Sequence, residues 1–208
     1  GSAELELGDY ESAKADFDQA ISMDPKNYDR LIEIYEALAD YGYREVGQEY
    51  LQNVLDTAKQ LDAYDSGRIY YYLGDYQKAY LALEEAKGKG GVDSYLYLGK
   101  SYAATGDYNY ASSVYSNYLS KQGPDAEIYN PLGLCEMAKK DYQKALEAFQ
   151  AGKQIEGNSL MQTLSFNEIV AYEYLQDYQK AAVLLNAYLQ NYPDDQAAIR
   201  EQQFLSTR

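Results

Sequence analysis

Two groups of residues in this 208-residue sequence have types and spacings that could support chemistry. Gly99-Lys100-Ser101 matches the end of a phosphate-binding loop, in which backbone N–H groups and a lysine hold a phosphate. Ser94, however, stands where that motif requires its first glycine, and Lys100 falls within a predicted helix. An ordinary helix face is therefore the favoured interpretation of this segment.

The second group consists of carboxylates. Glu33, Glu36 and Asp40 could place two carboxyl groups close enough for acid–base catalysis. Acidic chains produce such spacings freely, so we favour a helix side that faces solvent or a partner.

The sequence contains no histidine and one cysteine, Cys135. Without histidine the chain cannot form a Ser-His-Asp or Cys-His catalytic arrangement, a histidine metal site or an imidazole switch near neutral pH. A single cysteine permits neither an internal disulfide nor a Cys-x-x-Cys metal site. We expect Cys135 to pack as a small hydrophobe. We predict that the protein is not an enzyme and uses no cofactor and no metal.

The charge balance and the hydropathy restrict the partners. Lys and Arg total 18 against 33 Asp and Glu, which gives a formal net charge of −15. Proteins that bind nucleic acid need a basic surface, so we expect no nucleic-acid partner. No stretch approaches the roughly 18 apolar residues of a membrane span, so we expect no membrane insertion. A hydrophobic content of 46% is enough to form a core.

An internal repeat organises the chain. Gly-Asp-Tyr occurs at residues 8–10, 74–76 and 106–108, with weaker copies at 42–44, 140–142 and 176–178. The last residues of successive copies are 34, 32, 32, 34 and 36 positions apart. A small residue follows each copy by three positions. A large apolar residue follows four positions later still, at Phe17, Leu51, Leu83, Tyr115, Phe149 and Leu185.

Each repeat is predicted to be a helical hairpin. The glycine of the triplet suits the left-handed position that ends a helix, and the aspartate suits the N-cap of the next helix. The small and large apolar residues then share one helix face. Neither helix could bury that face alone, so neighbouring hairpins must stack. Residues 49–62 contain no Gly or Pro, and we expect the helix there to run long.

This pattern resembles the tetratricopeptide repeat (TPR) family. One repeat matches its consensus at Tyr95, Leu98-Gly99, Tyr102, Gly106-Asp107-Tyr108, Ala111 and Tyr115. The resemblance implies an all-α fold, a right-handed superhelical α-solenoid of antiparallel helix pairs. The chain would form one solenoid over 1–208. Its parts would be a partial repeat (1–27), five repeats (28–59, 60–91, 92–125, 126–161 and 162–195) and a capping helix (196–208).

The resemblance also implies a binding groove lined by the first helix of each repeat. Its positions in this sequence are acidic toward the N-terminus, aromatic in the middle and largely apolar toward the C-terminus, which suits a neutral or basic protein or peptide segment. Most tyrosines, including Tyr35 and Tyr76, fall on core positions of the repeat instead. The candidate groove residues are Glu33, Glu36, Tyr64, Arg68, Tyr71, Tyr72, Tyr97, Lys100, Asn130, Met137, Phe166, Asn167 and Tyr174.

Other functions stay open at this point. Tyrosines also stack on sugars, so a glycan- or cell-envelope-associated module is an alternative, and a purely structural spacer is another. The sequence resembles TPR lipoproteins of Gram-positive bacteria, which implies an exported protein anchored through an upstream segment; a cytoplasmic location is the alternative. The chain begins inside a repeat, so we expect further residues upstream.

Overall fold

Every element of secondary structure in the described part of the chain is a helix. The computed structural model describes residues 1–86 and 88–207, which contain thirteen helices and no strand. Two compact units divide the chain, Gly1–Lys89 and Gly90–Arg208. In both units consecutive helices pack as neighbouring pairs, which confirms the predicted all-α stack. Lys87, in the predicted repeat 60–91, and Arg208, in the predicted capping helix 196–208, lie outside the described residues.

The first unit begins with a short helix and continues with long ones. Its helices are α1 (Ser2–Glu6), α2 (Tyr10–Met23), α3 (Tyr28–Asp40), α4 (Arg44–Thr57), α5 (Ala63–Leu73) and α6 (Tyr76–Glu85). We call α3 and α5 first helices because each opens a predicted repeat. They pack against the second helices α4 and α6.

The second unit repeats the same order. Its helices are α7 (Val92–Ala104), α8 (Tyr108–Gln122), α9 (Ala126–Ala138), α10 (Tyr142–Lys153), α11 (Met161–Tyr174), α12 (Tyr178–Asn191) and α13 (Gln196–Leu205). The first helices are α7, α9 and α11, and α13 stands where the first helix of a further repeat would lie. It packs against α12.

One type of turn joins the two helices of a repeat. In the turn before α8, Gly106 adopts a φ of 84° and its N–H donates to the carbonyl of Ala103, while the Asp107 N–H donates to the carbonyl of Tyr102. This is a Schellman motif, which satisfies the last carbonyls of the preceding helix. The Asp107 side chain then accepts the N–H of Tyr110 and caps α8.

The same turn forms where the triplet has no glycine. Lys140 and Gln176 both adopt a φ of 63°, a left-handed conformation that costs a residue with a Cβ roughly 1–2 kcal/mol. The aspartates that follow them still cap their helices. The predicted role of the triplet, a left-handed residue followed by an N-cap, is therefore confirmed.

The apolar positions of the repeat form the cores of both units. Ala13, Ala79, Ala111, Ala145 and Ala181 are completely buried. The large residues four positions after them are buried too. Because Gly99 has no side chain, α7 and α8 approach so closely that a Cβ on it would lie 2.2 Å from Cζ of Tyr115.

Cys135 and the end of α4 test two smaller predictions. Cys135 is buried in a core cluster with Ala111 and Tyr115, as predicted, and burial raises the pKa of its thiol to about 11.

The expected long helix over residues 49–62 is wrong, because α4 ends at Thr57 and Ala58 is extended. The Thr57 hydroxyl donates to the carbonyl of Asn53 2.6 Å away, which competes with helical bonding. Asp62 then caps α5 separately.

Candidate functional site

The first unit has a cleft between consecutive first helices, which we call the tyrosine cleft. Its volume is about 440 Å³. Side chains of α3 and α5 and of the helices that follow them line it: Tyr35, Glu36, Ala39, Asp40, Arg44, Tyr71, Tyr72 and Tyr76. Three of the predicted groove residues, Glu36, Tyr71 and Tyr72, therefore come together here. Glu33 is exposed on α3 and is not among the lining residues.

Contacts among the tyrosines fix the walls of this cleft. The Tyr72 ring lies 5.1 Å from the Tyr35 ring and 5.3 Å from the Tyr71 ring, and Tyr71 lies 5.7 Å from Tyr76. The Tyr72 hydroxyl donates to Oε1 of Glu36 and so joins α5 to α3. The rings are therefore preorganised as a contact surface, with carboxylates and Arg44 at its border.

Arg68, a predicted groove residue, is buried in the structure. Only 7% of it is exposed. Its guanidinium donates to Oδ1 of Asp29 on α3 and to Oδ1 of Asp65 on α5, each 2.5 Å away, and its central carbon lies 4.4 Å from the centre of the Tyr64 ring. Burial opposes the charge, but the hydrogen bonds to Asp29 and Asp65 raise the pKa of Arg68 overall. Arg68 and Tyr64 thus connect two first helices and are already engaged within the chain.

The predicted residues of the second unit make separate contacts within the chain. Lys100 is exposed on α7, with its Nζ 5.9 Å from the centre of the Tyr97 ring. Further along, Nδ2 of Asn167 donates to Oδ1 of Asn130 at 2.9 Å and joins α11 to α9. That amide pair is only half-buried and therefore accessible to a partner.

Two predicted residues of the second unit are largely engaged in packing. Met137 packs against the core cluster that contains Phe149 and Leu164. Phe166 packs against another cluster, with its ring 5.7 Å from that of Tyr188. Both side chains therefore pack into the core, and only part of each is accessible to a partner.

A second cleft, which we call the carboxylate cleft, lies between α11 and α13. Its volume is about 590 Å³, and it is lined by Val170, Glu173, Tyr174, Gln176, Tyr178, Glu201 and Phe204. Tyr174, the one predicted groove residue among them, is 56% exposed and stacks on Tyr142 with ring centres 4.9 Å apart. This cleft lies between two first-helix positions, as the tyrosine cleft does.

The carboxyl groups of Glu173 and Glu201 interact with each other in the carboxylate cleft. Burial, then the hydrogen bond and the charge of Glu201, raise the pKa of Glu173 from its ordinary value of 4.5 to about 8. Oε1 of Glu173 is buried and has no hydrogen-bond partner. The Glu173 carboxyl therefore retains a proton at neutral pH and leaves one polar atom unsatisfied.

Sequence reasoning missed several residues of the two clefts. Tyr35 and Tyr76 occupy core positions of the repeat, yet the edges of their rings reach the tyrosine cleft. Glu201 and Phe204 lie on α13, which the repeat pattern predicts only as a capping helix. Extending the repeat to residue 196 would have found both, since they stand where Glu33 and Glu36 stand in the repeat 28–59.

Within residues 1–86 and 88–207, no group of three or more Cys, Asp or Glu side chains could hold a metal ion. None of the helices in that same portion combines the length and the apolar character needed to cross a bilayer.

The stacked helix pairs and the recurring capped turn define an α-helical repeat protein. Models of the tetratricopeptide repeat match residues 1–27, 96–159 and 166–195, which together are more than half of the sequence. The chain belongs to the tetratricopeptide repeat family. No curated protein sequence matches it significantly.

Solved TPR structures have similar folds. TTC0263, a thermophilic TPR protein of Thermus thermophilus, is 14% identical with a TM-score of 0.65, over 87% of this chain and 100% of its own. YrrB, described as a TPR protein with an unusual peptide-binding site, is 19% identical with a TM-score of 0.59, over 90% and 97%.

A much longer protein gives a similar match. A chain of the APC/C hetero-tetramer Cut9–Hcn1 is 18% identical with a TM-score of 0.65 over 98% of this chain. Only 41% of the longer chain is covered, so the sequence spans less than half of that relative. At these identities the likeness establishes the fold alone.

Proposed function

We propose that this chain is a non-catalytic scaffold that binds a protein or peptide segment through the clefts between its first helices. The observation that carries the proposal is the tyrosine cleft, which four aromatic rings and two carboxylates line. Tyrosines bring a large contact area and a polar tip at a small cost in conformational entropy. Membership in a repeat family, and the peptide-binding site of the similar protein YrrB, support the same function.

The chemistry of the cleft indicates what kind of segment would bind. Glu36 and Asp40 line the cleft beside the rings, and Arg44 is the one cation among its described lining residues. With a net charge of −15 on the chain, long-range electrostatics favour the approach of a basic segment and oppose that of an acidic one. An extended peptide with an aromatic or aliphatic anchor would fill the cleft between the tyrosine rings.

Selection from a peptide library tests this function without a known partner. We expect the 208-residue chain to enrich peptides with a shared motif. We expect Tyr71→Ala to weaken binding of the selected peptide roughly tenfold or more, as for a residue at the centre of an interface. Tyr110→Ala is the matched control, because Tyr110 is exposed on the second helix α8. Thermal unfolding of each variant shows whether the fold is retained.

Three results would argue against the proposal. They are the absence of any shared motif, binding that Tyr71→Ala leaves unchanged, and equal losses from Tyr71→Ala and Tyr110→Ala. Enrichment of no peptide at all would favour the structural spacer. A saturable signal on a glycan array that Tyr71→Ala abolishes would instead favour the glycan-binding alternative.

A further inference from the structure

The carboxylate cleft combines a cavity, aromatic walls and two acids from separate helices. Glu173 lies at the end of α11 and Glu201 in the middle of α13. Tyr174 and Phe204, 56% and 39% exposed, form apolar walls beside them. Among the described residues that line this cleft there is no lysine and no arginine. Two acidic groups are therefore brought together here without a cation among the described lining side chains.

The arrangement of Glu173 inside the cleft raises the free energy of the folded chain. A buried carboxyl oxygen that accepts no hydrogen bond loses its interaction with water and gains nothing in return. Oε1 of Glu173 is in this position, and the carboxyl keeps a proton because it is partly buried and Glu201 lies beside it. A cation with several N–H donors would remove both costs, since it would satisfy the oxygen and balance the charge of two carboxylates.

The first unit contains the same arrangement in a filled form. Asp29 and Asp65, also from consecutive first helices, hold the guanidinium of Arg68 between them. The Tyr64 ring lies against that guanidinium at 4.4 Å. Two carboxylates from neighbouring first helices and an aromatic ring thus form an arginine site in this chain. The carboxylate cleft has the acids and the rings, but its lining residues do not supply the arginine.

We propose that the carboxylate cleft binds an arginine side chain of a protein or peptide partner, with the guanidinium between Glu173 and Glu201 and its flat face against Tyr174 or Phe204. A guanidinium suits this site because its planar donors can bridge two carboxylates and its face stacks on aromatic rings. The inference rests on the proposed function, because it assigns to a partner one arginine for this position.

A small probe tests the cleft directly, without the partner. We expect N-acetyl-arginine amide, titrated into the 208-residue chain, to give saturable NMR shift changes confined to the residues of the carboxylate cleft. N-acetyl-citrulline amide has nearly the same shape but no charge, and it should not bind. Glu201→Gln should weaken binding of the arginine probe roughly tenfold. Glu147→Gln should not change it, because Glu147 is exposed on α10 outside the cleft.

Proton release provides a second measurement. When the guanidinium enters, the proton held by Glu173 must leave, so binding at pH 7 should release up to one proton for each bound probe. Calorimetry in two buffers of different ionisation enthalpy measures this number. Glu173→Gln should abolish the release, because the amide holds no titratable proton.

Several outcomes would overturn the inference. Equal binding of the citrulline probe, binding unaffected by Glu201→Gln, shift changes spread over the acidic surface, or no proton release would each do so. A selected peptide that binds the tyrosine cleft, together with no binding of the arginine probe to the carboxylate cleft, would leave the proposed function intact and remove this inference. Binding of the arginine probe without any selected peptide would do the reverse.

Discussion

Glu173 should make the stability of the protein fall as the pH rises from 5 to above 8. Its pKa is about 8 in the folded chain, against an ordinary value of 4.5. Between these values the folded chain holds a proton that the unfolded chain has lost. The contribution of this group is therefore fully present below pH 4.5 and is lost as the pH rises through 8.

The structure sets the size of this effect. At about 1.4 kcal/mol for each pH unit between the two pKa values, a dry site would lose nearly 5 kcal/mol. Water reaches part of the Glu173 side chain, and such exposure screens the charge of Glu201. We therefore expect the free energy of unfolding to fall by about 1–2 kcal/mol.

Urea unfolding of the original chain and of Glu173→Gln at pH 5 and pH 8.5 measures this loss. The chain has no histidine, and acidic N-caps such as Asp75 and Asp141 have pKa values lowered by hydrogen bonds and titrate below the window. Glutamine cannot titrate, so the variant should lack the 1–2 kcal/mol decrease. Glu147→Gln, on an exposed helix side, should retain it. A decrease of equal size in Glu173→Gln would refute the assignment.

Three further predictions concern packing and turns. Lys140→Gly and Gln176→Gly remove the strain of a left-handed backbone at a residue with a Cβ. Each should raise the free energy of unfolding by about 0.5–1 kcal/mol and the Tm by about 2 °C. An unchanged or lower Tm would contradict this. Gly99→Ala should cost about 1–3 kcal/mol in urea unfolding, because its Cβ would meet Tyr115, and a loss below about 0.5 kcal/mol would show that the helices separate freely. Cys135, buried with a pKa of about 11, should react with a thiol reagent at pH 8 at least about 100-fold more slowly in the native chain than in urea; equal rates would show that the core opens.

The turns and the core could be predicted from the sequence because they depend on local rules. A left-handed residue followed by a capping aspartate needs only adjacent positions, and the buried alanines follow from the helical period. The end of α4 escaped prediction because no Gly or Pro marks it. The helix ends where the Thr57 hydroxyl bonds to a backbone carbonyl, and Asp62 then caps the next helix, α5.

Whether a residue of the candidate site is already bonded within the chain depends on contacts between repeats. The repeat period does not reveal these contacts. Position counting placed Arg68 on the face of the first helices, but only the structure shows that Asp29, 39 residues earlier, already holds it. The interaction of Glu173 with Glu201 likewise links α11 to α13. A groove position thus predicts the location of a residue and does not tell whether that residue is already engaged.

The recurring turn has a consequence for the history of the chain. Each copy is closed by hydrogen bonds that reach back no more than five residues, as from Asp107 to Tyr102 and from Asp177 to Tyr172. No such turn depends on which repeat precedes or follows it. Duplication or loss of one segment of about 34 residues would therefore leave every other turn intact. Gene segments bounded at the capping aspartate could therefore be gained or deleted in frame, and the number of clefts between first helices could change with them.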